Sequence, residues 1–281
     1  FRGDPHLTTV EPGAGWSAVR TVVPGTTIAA SLDPAATVHD VPFVYEDPDE
    51  PYLRALRERY DLTALVTAAD NEYSAMLAVG GWLGRQFDHG ADRPAGEDKA
   101  CDPVSIIERG RAGARFSCEI TSLTMVHVAS ALGWAARLTT ASLTGYTWDH
   151  GISELWSNQF RKWFVLDTDF NVVYEVDGVP QSAAELMTQG AALRRAGRLR
   201  RRGIAEPKAS IPDPTAEATL GLYKYVHTDM RNDWCARPLQ RGSPAGGDRA
   251  TWWMAPSSFP RLLTARRRVT DAHQFDWPVD Q

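Results

Sequence analysis

Three residues in this chain carry side chains suited to nucleophilic acyl transfer: Cys118, His150 and Asp167. Cys118 follows Ser117, which reads as an N-cap, and opens a nearly all-apolar helix that runs to Leu132 and ends at Gly133. A thiol in a first helical turn meets unpaired N–H groups and the positive end of the helix dipole. Both favour the thiolate. A cysteine alone is more often a small buried hydrophobe than a nucleophile, so the partners decide the reading. The segments His150 to Trp156 and Arg161 to Asp167 read as two strands joined through Ser157-Asn158-Gln159-Phe160. A turn centred between Asn158 and Gln159 sets His150 directly opposite Asp167, with Cβ atoms about 4.5–5.5 Å apart. A one-residue slip would put them on different faces, so the register is the critical step. In this arrangement the imidazole takes the thiol proton, and the carboxylate fixes its tautomer and steadies the imidazolium.

The elements that must position these groups follow from the pattern of the chain. Helical spacing is expected from Tyr52 to Tyr60, from Asn71 to Phe87, in a short stretch after Asp102-Pro103, and from Cys118 to Leu132. Short β-branched and aromatic runs follow at 137–144, 150–156, 161–166 and 172–176, and Gln181 to Ala196 returns to helix. Helices followed by a run of strands of an antiparallel sheet give an α+β fold. Residues 1–50 read as an N-terminal β extension, 51–200 as the core, and 201–281 as an irregular segment packed on that core.

The order Cys118, then Gly133-Trp134-Ala135-Ala136-Arg137, then His150 opening a strand, then Trp163-Phe164-Val165-Leu166-Asp167 resembles the transglutaminase-like superfamily. The resemblance spans about Met76 to Glu185 and is closer to bacterial members than to the animal cross-linking enzymes. It implies a papain-like core with Cys118 as nucleophile, His150 as base and Asp167 as orienting acid. It also implies a thioester intermediate at Cys118, resolved by water in a hydrolase or by an amine in an acyltransferase. Such chemistry needs no cofactor and no metal. A catalytically silent binding scaffold built on the same core is the alternative function.

An oxyanion hole is required as well. The Cys118 backbone N–H is one donor, and Trp82 or Gln86 is a side-chain candidate upstream, although Trp82 fits a core anchor equally well. Asp169 shares a strand face with Asp167 and is a second candidate for the orienting acid. Glu154 shares a face with His150 as a structural ion-pair candidate, and His127 reads as a hydrogen-bonded core histidine. The run Asp88-His89-Gly90-Ala91-Asp92 has no second ligand set at metal spacing and reads as a loop at a helix end. Trp234 and the Trp252-Trp253 pair are expected to pin the tail to the core.

Composition limits the partners. The 281 residues carry 30 Lys+Arg against 35 Asp+Glu, a net charge of −5 that draws the chain to no polyanion as a whole. The arginines at 194, 195, 198, 200, 201 and 202, with Arg266 to Arg268, are best read as solvated faces. An anionic substrate or carrier is the secondary reading there, and nucleic acid a remote third. The expected substrate is a peptide, amide or other acyl compound. No apolar run reaches the ~20 residues of a membrane span. With Cys101, Cys118 and Cys235 the cysteine count is odd, so at least one thiol is free, and the compartment is left open.

Overall fold

The computed structural model describes residues 43–92, 101–144, 148–211, 220–229 and 231–235, and the backbone of 251–254 and 267–269. The expected β extension lies almost wholly outside the described residues, as does Arg266. The side chains of Trp252, Trp253, Arg267 and Arg268 are outside them too.

The helices come first: α1 (Pro51–Arg59), α2 (Leu62–Thr67), α3 (Glu72–Gly84), α4 (Pro103–Arg111) and α5 (Cys118–Ala131). Their ends carry local chemistry. The Asn71 side chain accepts from Ser74 N at 2.9 Å and opens α3, and Asp102 does the same for α4 through Ser105 N. Gly133, at φ 72°, ends α5 in the left-handed region that glycine adopts without strain. Between the helices, β1 (Asp88–His89) pairs in parallel with β2 (Arg115–Phe116), placing His89 opposite Phe116.

The strands β3 (Ala136–Ser142), β4 (His150–Ser157) and β5 (Lys162–Leu166) form the antiparallel heart of a six-stranded sheet. A second sheet joins β6 (Val172–Val176), β7 (Val179–Pro180) and β8 (Leu199–Gly203), with β6 in the middle. The four expected strands are thus split between two sheets, linked where Asp167 bridges to Val172. Between β7 and β8 the chain is helical as α6 (Ala183–Glu185), a π-turn at Leu186–Gly190, and α7 (Ala191–Arg195). The arginine run therefore divides. Arg194 and Arg195 end α7, whereas Arg200, Arg201 and Arg202 lie on β8. The segment after residue 200 is less irregular than its composition suggests. It supplies β9 (Tyr225–Asp229), β10 (Thr251–Met254) and β11 (Arg267–Val269), and β9 pairs directly with β3.

The architecture is α+β, and the β3–β5 part of the main sheet is buried on both faces. On β5, Phe164 and Leu166 join the apolar cluster under α1, α3, α4 and α5. Trp163 and Val165 point the other way, toward Tyr174, Ala183, Leu186 and Tyr223. This is the period-two alternation of a strand with a core on each side. Arg137 and Glu154, both wholly buried, form a 2.8 Å ion pair between β3 and β4. The Arg137 guanidinium also lies 4.5 Å from the centre of the Trp163 ring. Arg137 and Trp163, two of the residues behind the family resemblance, therefore tie β3, β4 and the edge strand β5 together.

One expectation about the hairpin fails. The ladder sets Ser157 opposite Lys162 and Ser153 opposite Leu166, so the turn is centred between Gln159 and Phe160. Moving the centre by one residue slips the pairing by two, so His150 does not stand directly opposite Asp167. The cause is a buried carboxylate from far along the chain. Glu72 at the start of α3 accepts the Ser157 hydroxyl at 2.9 Å, Asn158 N at 2.9 Å and Gln159 N at 2.6 Å. Arg161, at φ 54°, then closes the turn in the left-handed region. A slip of two preserves the face, so His150 and Asp167 still point the same way.

Candidate active site

Cys118 reaches the site because α5 lies close against β4. Gly151 permits this: a Cβ there would stand 2.9 Å from Glu119 Cα and 3.1 Å from Glu119 N. Two bonds hold the approach. Ser122 Oγ donates to Gly151 O at 2.8 Å, and Gly151 N donates to Cys118 Sγ at 3.4 Å. Ser117 occupies the N-cap position with extended backbone, but its side chain makes no capping bond, unlike the expected Ser cap. Its carbonyl instead accepts from Thr121 N and Thr121 Oγ1. Cys118 is half-buried and its thiol is free, whereas Cys101 and Cys235 form a disulfide.

His150 opens β4 and is buried, 3% exposed. Its Nε2 meets Asp167 Oδ2 at 2.7 Å, and its ring stacks on Phe170 with centres 4.2 Å apart and planes 11° from parallel. A ring nitrogen of His150 lies within 4.8 Å of the Cys118 sulfur. Burial alone would lower the His150 pKa. The Asp167 carboxylate and the Cys118 sulfur overcome it and raise the value to about 10, so the ring keeps its proton across the neutral range. Asp167 is fixed in turn: its Oδ1 accepts from Asp169 N at 3.0 Å and Phe170 N at 2.9 Å.

Asp169 is also here but serves another partner. Its carboxylate binds His89 Nδ1 at 2.9 and 3.2 Å and Lys208 Nζ at 3.4 Å. Burial would raise the Asp169 carboxyl, but the His89 bond and the Lys208 charge hold it below the usual range. Lys208 is buried above the Phe87 ring at 5.0 Å, and burial pulls its pKa down against the attraction of Asp169. Cys118, His150 and Asp169 each offer one ligating atom within 4.8 Å of the others, a spacing a metal ion could span.

The remaining sequence candidates fall elsewhere. Gln86 spends its amide on Trp82 O at 2.6 Å and on Arg111 Nε at 2.8 Å. Trp82 packs near the Tyr60 ring, centres 5.4 Å apart, in keeping with the core-anchor reading. His127 is a buried histidine between the Tyr52 hydroxyl and Cys235 Sγ, each at 3.5 Å. His89, Lys208 and Phe170 were not foreseen at the site. The Asp88-His89 pair, expected in a loop, is strand β1, which brings His89 alongside the residues that precede Cys118.

No protein-family model matches this chain. No curated protein matches it either. Among solved structures, a "Putative Cysteine Protease" from Cytophaga hutchinsonii shares 16% identity at a TM-score of 0.32, the match covering 43% of this chain and 39% of that one. A likeness at that level carries no argument, and the reading rests on this chain's own geometry. Within that geometry, a half-buried cysteine lies within 4.8 Å of a buried histidine that is hydrogen-bonded to a buried aspartate, which fits thiol-dependent chemistry.

Proposed function

We propose that the protein performs thiol-dependent acyl transfer or hydrolysis on an amide or ester, on a transglutaminase-like, papain-type core. One observation carries the reading: His150 is held to Asp167 through Nε2 at 2.7 Å, and a ring nitrogen of the same residue lies within 4.8 Å of the half-buried Cys118 sulfur. The burial is graded, with only the nucleophile reaching solvent. That is the arrangement nucleophilic catalysis needs.

In the proposed reaction the Cys118 sulfur bonds to the acyl carbon and its proton resides on His150. The tetrahedral intermediate collapses, the bond to the leaving group breaks, and His150 delivers the proton to the departing amine or alcohol. A thioester remains on Cys118. Water or an amine then attacks it, His150 accepts the incoming proton, and the sulfur is released. Asp167 holds the ring orientation throughout and balances its positive charge. The peptide, amide or acyl class of substrate follows from this chemistry. An anionic substrate or carrier meeting the arginines of α7 and β8 is a further proposal of the same reading.

The test uses p-nitrophenyl acetate with intact-mass and peptide-mapping readout. The reading expects a burst of p-nitrophenolate and an acetyl group on Cys118, both lost in Cys118→Ser. Added amines that appear as acylated products mark a transferase; release as acetate alone marks a hydrolase. A wild-type chain without burst or adduct contradicts the proposal.

A further inference from the structure

The acyl-transfer chemistry calls for an oxyanion donor besides the Cys118 backbone N–H, and Gln86 is already engaged, donating to Trp82 O and accepting from Arg111 Nε. Asp169 lies beside the same sulfur and holds His89. Through the β1–β2 pairing, His89 stands opposite Phe116, two residues before Cys118. Its Nδ1 is held by both oxygens of Asp169, whose carboxylate lies within 4.8 Å of the Cys118 sulfur and a His150 ring nitrogen. Lys208, itself buried, braces Asp169 from another side. With Nδ1 engaged, Nε2 is the ring nitrogen left for a substrate, and the His89 side chain is 37% exposed where Asp169 is wholly buried.

We propose that His89 is a catalytic residue, donating from Nε2 to the carbonyl oxygen of the acyl group attacked by Cys118, with Asp169 as its positioning residue. The inference rests on the acyl-transfer reading. The Asp169 bond favours the doubly protonated ring, raising the His89 pKa against partial burial and the charges of Lys208 and His150. That form carries hydrogen on both nitrogens, so it can bond Asp169 and donate to a substrate together. The site thereby holds two histidine–aspartate pairs of opposite task. His150–Asp167 moves the proton of the sulfur, and His89–Asp169 stabilises charge that develops on oxygen.

The test compares the p-nitrophenyl acetate burst with Cys118 alkylation by iodoacetamide, a displacement that forms no oxyanion. His89→Ala should slow the burst about 10²-fold, the usual loss for one oxyanion donor. The same variant should alkylate within about twofold of wild type. His89→Gln, which keeps an N–H donor, should recover part of the burst. Asp169→Asn should lower kcat with little change in KM. A His89→Ala burst within about threefold of wild type overturns this inference alone, as does an equal loss of burst and alkylation, which marks a structural role. A wild-type chain with no Cys118 adduct overturns the acyl-transfer reading as well.

Discussion

Gly151→Ala tests whether the approach of α5 to β4 places the nucleophile. The added methyl would meet backbone, Glu119 Cα at 2.9 Å, Glu119 N at 3.1 Å and Cys118 C at 3.3 Å. Backbone cannot turn aside as a flexible side chain can. Favourable carbon contacts start near ~3.5 Å, so the helix must retreat by roughly half an ångström or more. Overpacking of this kind costs about 1–3 kcal/mol. At about 2–4 °C per kcal/mol for a chain of this size class, Tm should fall by about 2–12 °C. The same retreat lengthens the 3.4 Å contact between Gly151 N and the sulfur and draws Cys118 away from His150. A displacement approaching ~1 Å can cost on the order of 10²-fold in rate. The assay pairs thermal unfolding with the second-order rate of Cys118 alkylation. Gly221→Ala is the control, because a Cβ there meets nothing within 4 Å. Unchanged Tm would refute the packing argument. Lowered Tm with unchanged alkylation would leave the packing intact and refute the claim that it sets the reactive geometry.

Further outcomes follow from other parts of the structure. Glu72→Ala removes the acceptor for two backbone N–H groups and one hydroxyl in the β4–β5 turn, so chemical denaturation should show a loss of about 2–4 kcal/mol. Arg137→Met alone strands the buried Glu154 charge and should cost about 3–5 kcal/mol, whereas Arg137→Met with Glu154→Leu should recover much of the loss. Replacing Cys101 and Cys235 together by serine should lower stability by about 2–4 kcal/mol, since their bond closes a loop across a sequence separation of 134. His150 binds its proton up to about pH 10 in the folded chain and only to 6.5 ordinarily. With the thiol removed in Cys118→Ser, no sulfur proton offsets this, and the folded state holds more protons above pH 6.5. That stabilisation is complete below pH 6.5 and is lost as pH rises through the raised folded value. Stability of Cys118→Ser should accordingly fall as pH rises, and adding His150→Ala should flatten the fall.

How much of this was legible in the sequence depends on the range of the interaction. The α5 helix, its glycine stop and the strands at 150–157 and 162–166 are local patterns, and they place Cys118, His150 and Asp167 near one another, though without His150 directly opposite Asp167. The hairpin register was not legible because Glu72, remote in sequence, sets the turn. The face survived because the slip was even. Asp167 and Asp169 could not be told apart by spacing; their partners, His150 for one and His89 with Lys208 for the other, separate them. His89 lay in a segment read as a loop because a two-residue strand leaves no periodicity. The upstream position of Asp88-His89 and a second acid two residues beyond Asp167 were the available hints. β9 enters the sheet from a stretch whose flanks are rich in Pro, Arg and Trp, so its pairing with β3 is a tertiary outcome. The Cys101–Cys235 pairing likewise follows from the fold and not from cysteine spacing.

The central claim, that His150 and Asp167 make Cys118 a working nucleophile, is tested most directly by iodoacetamide alkylation across pH with peptide mapping, on wild type and His150→Ala. An ordinary thiol, with a pKa of about 8.5, is slow to react near pH 6. The account predicts fast labelling of Cys118 at pH 6 in the native protein and loss of that reactivity in His150→Ala, with both chains folded. Slow wild-type labelling at pH 6, or labelling that His150→Ala leaves intact, would contradict it.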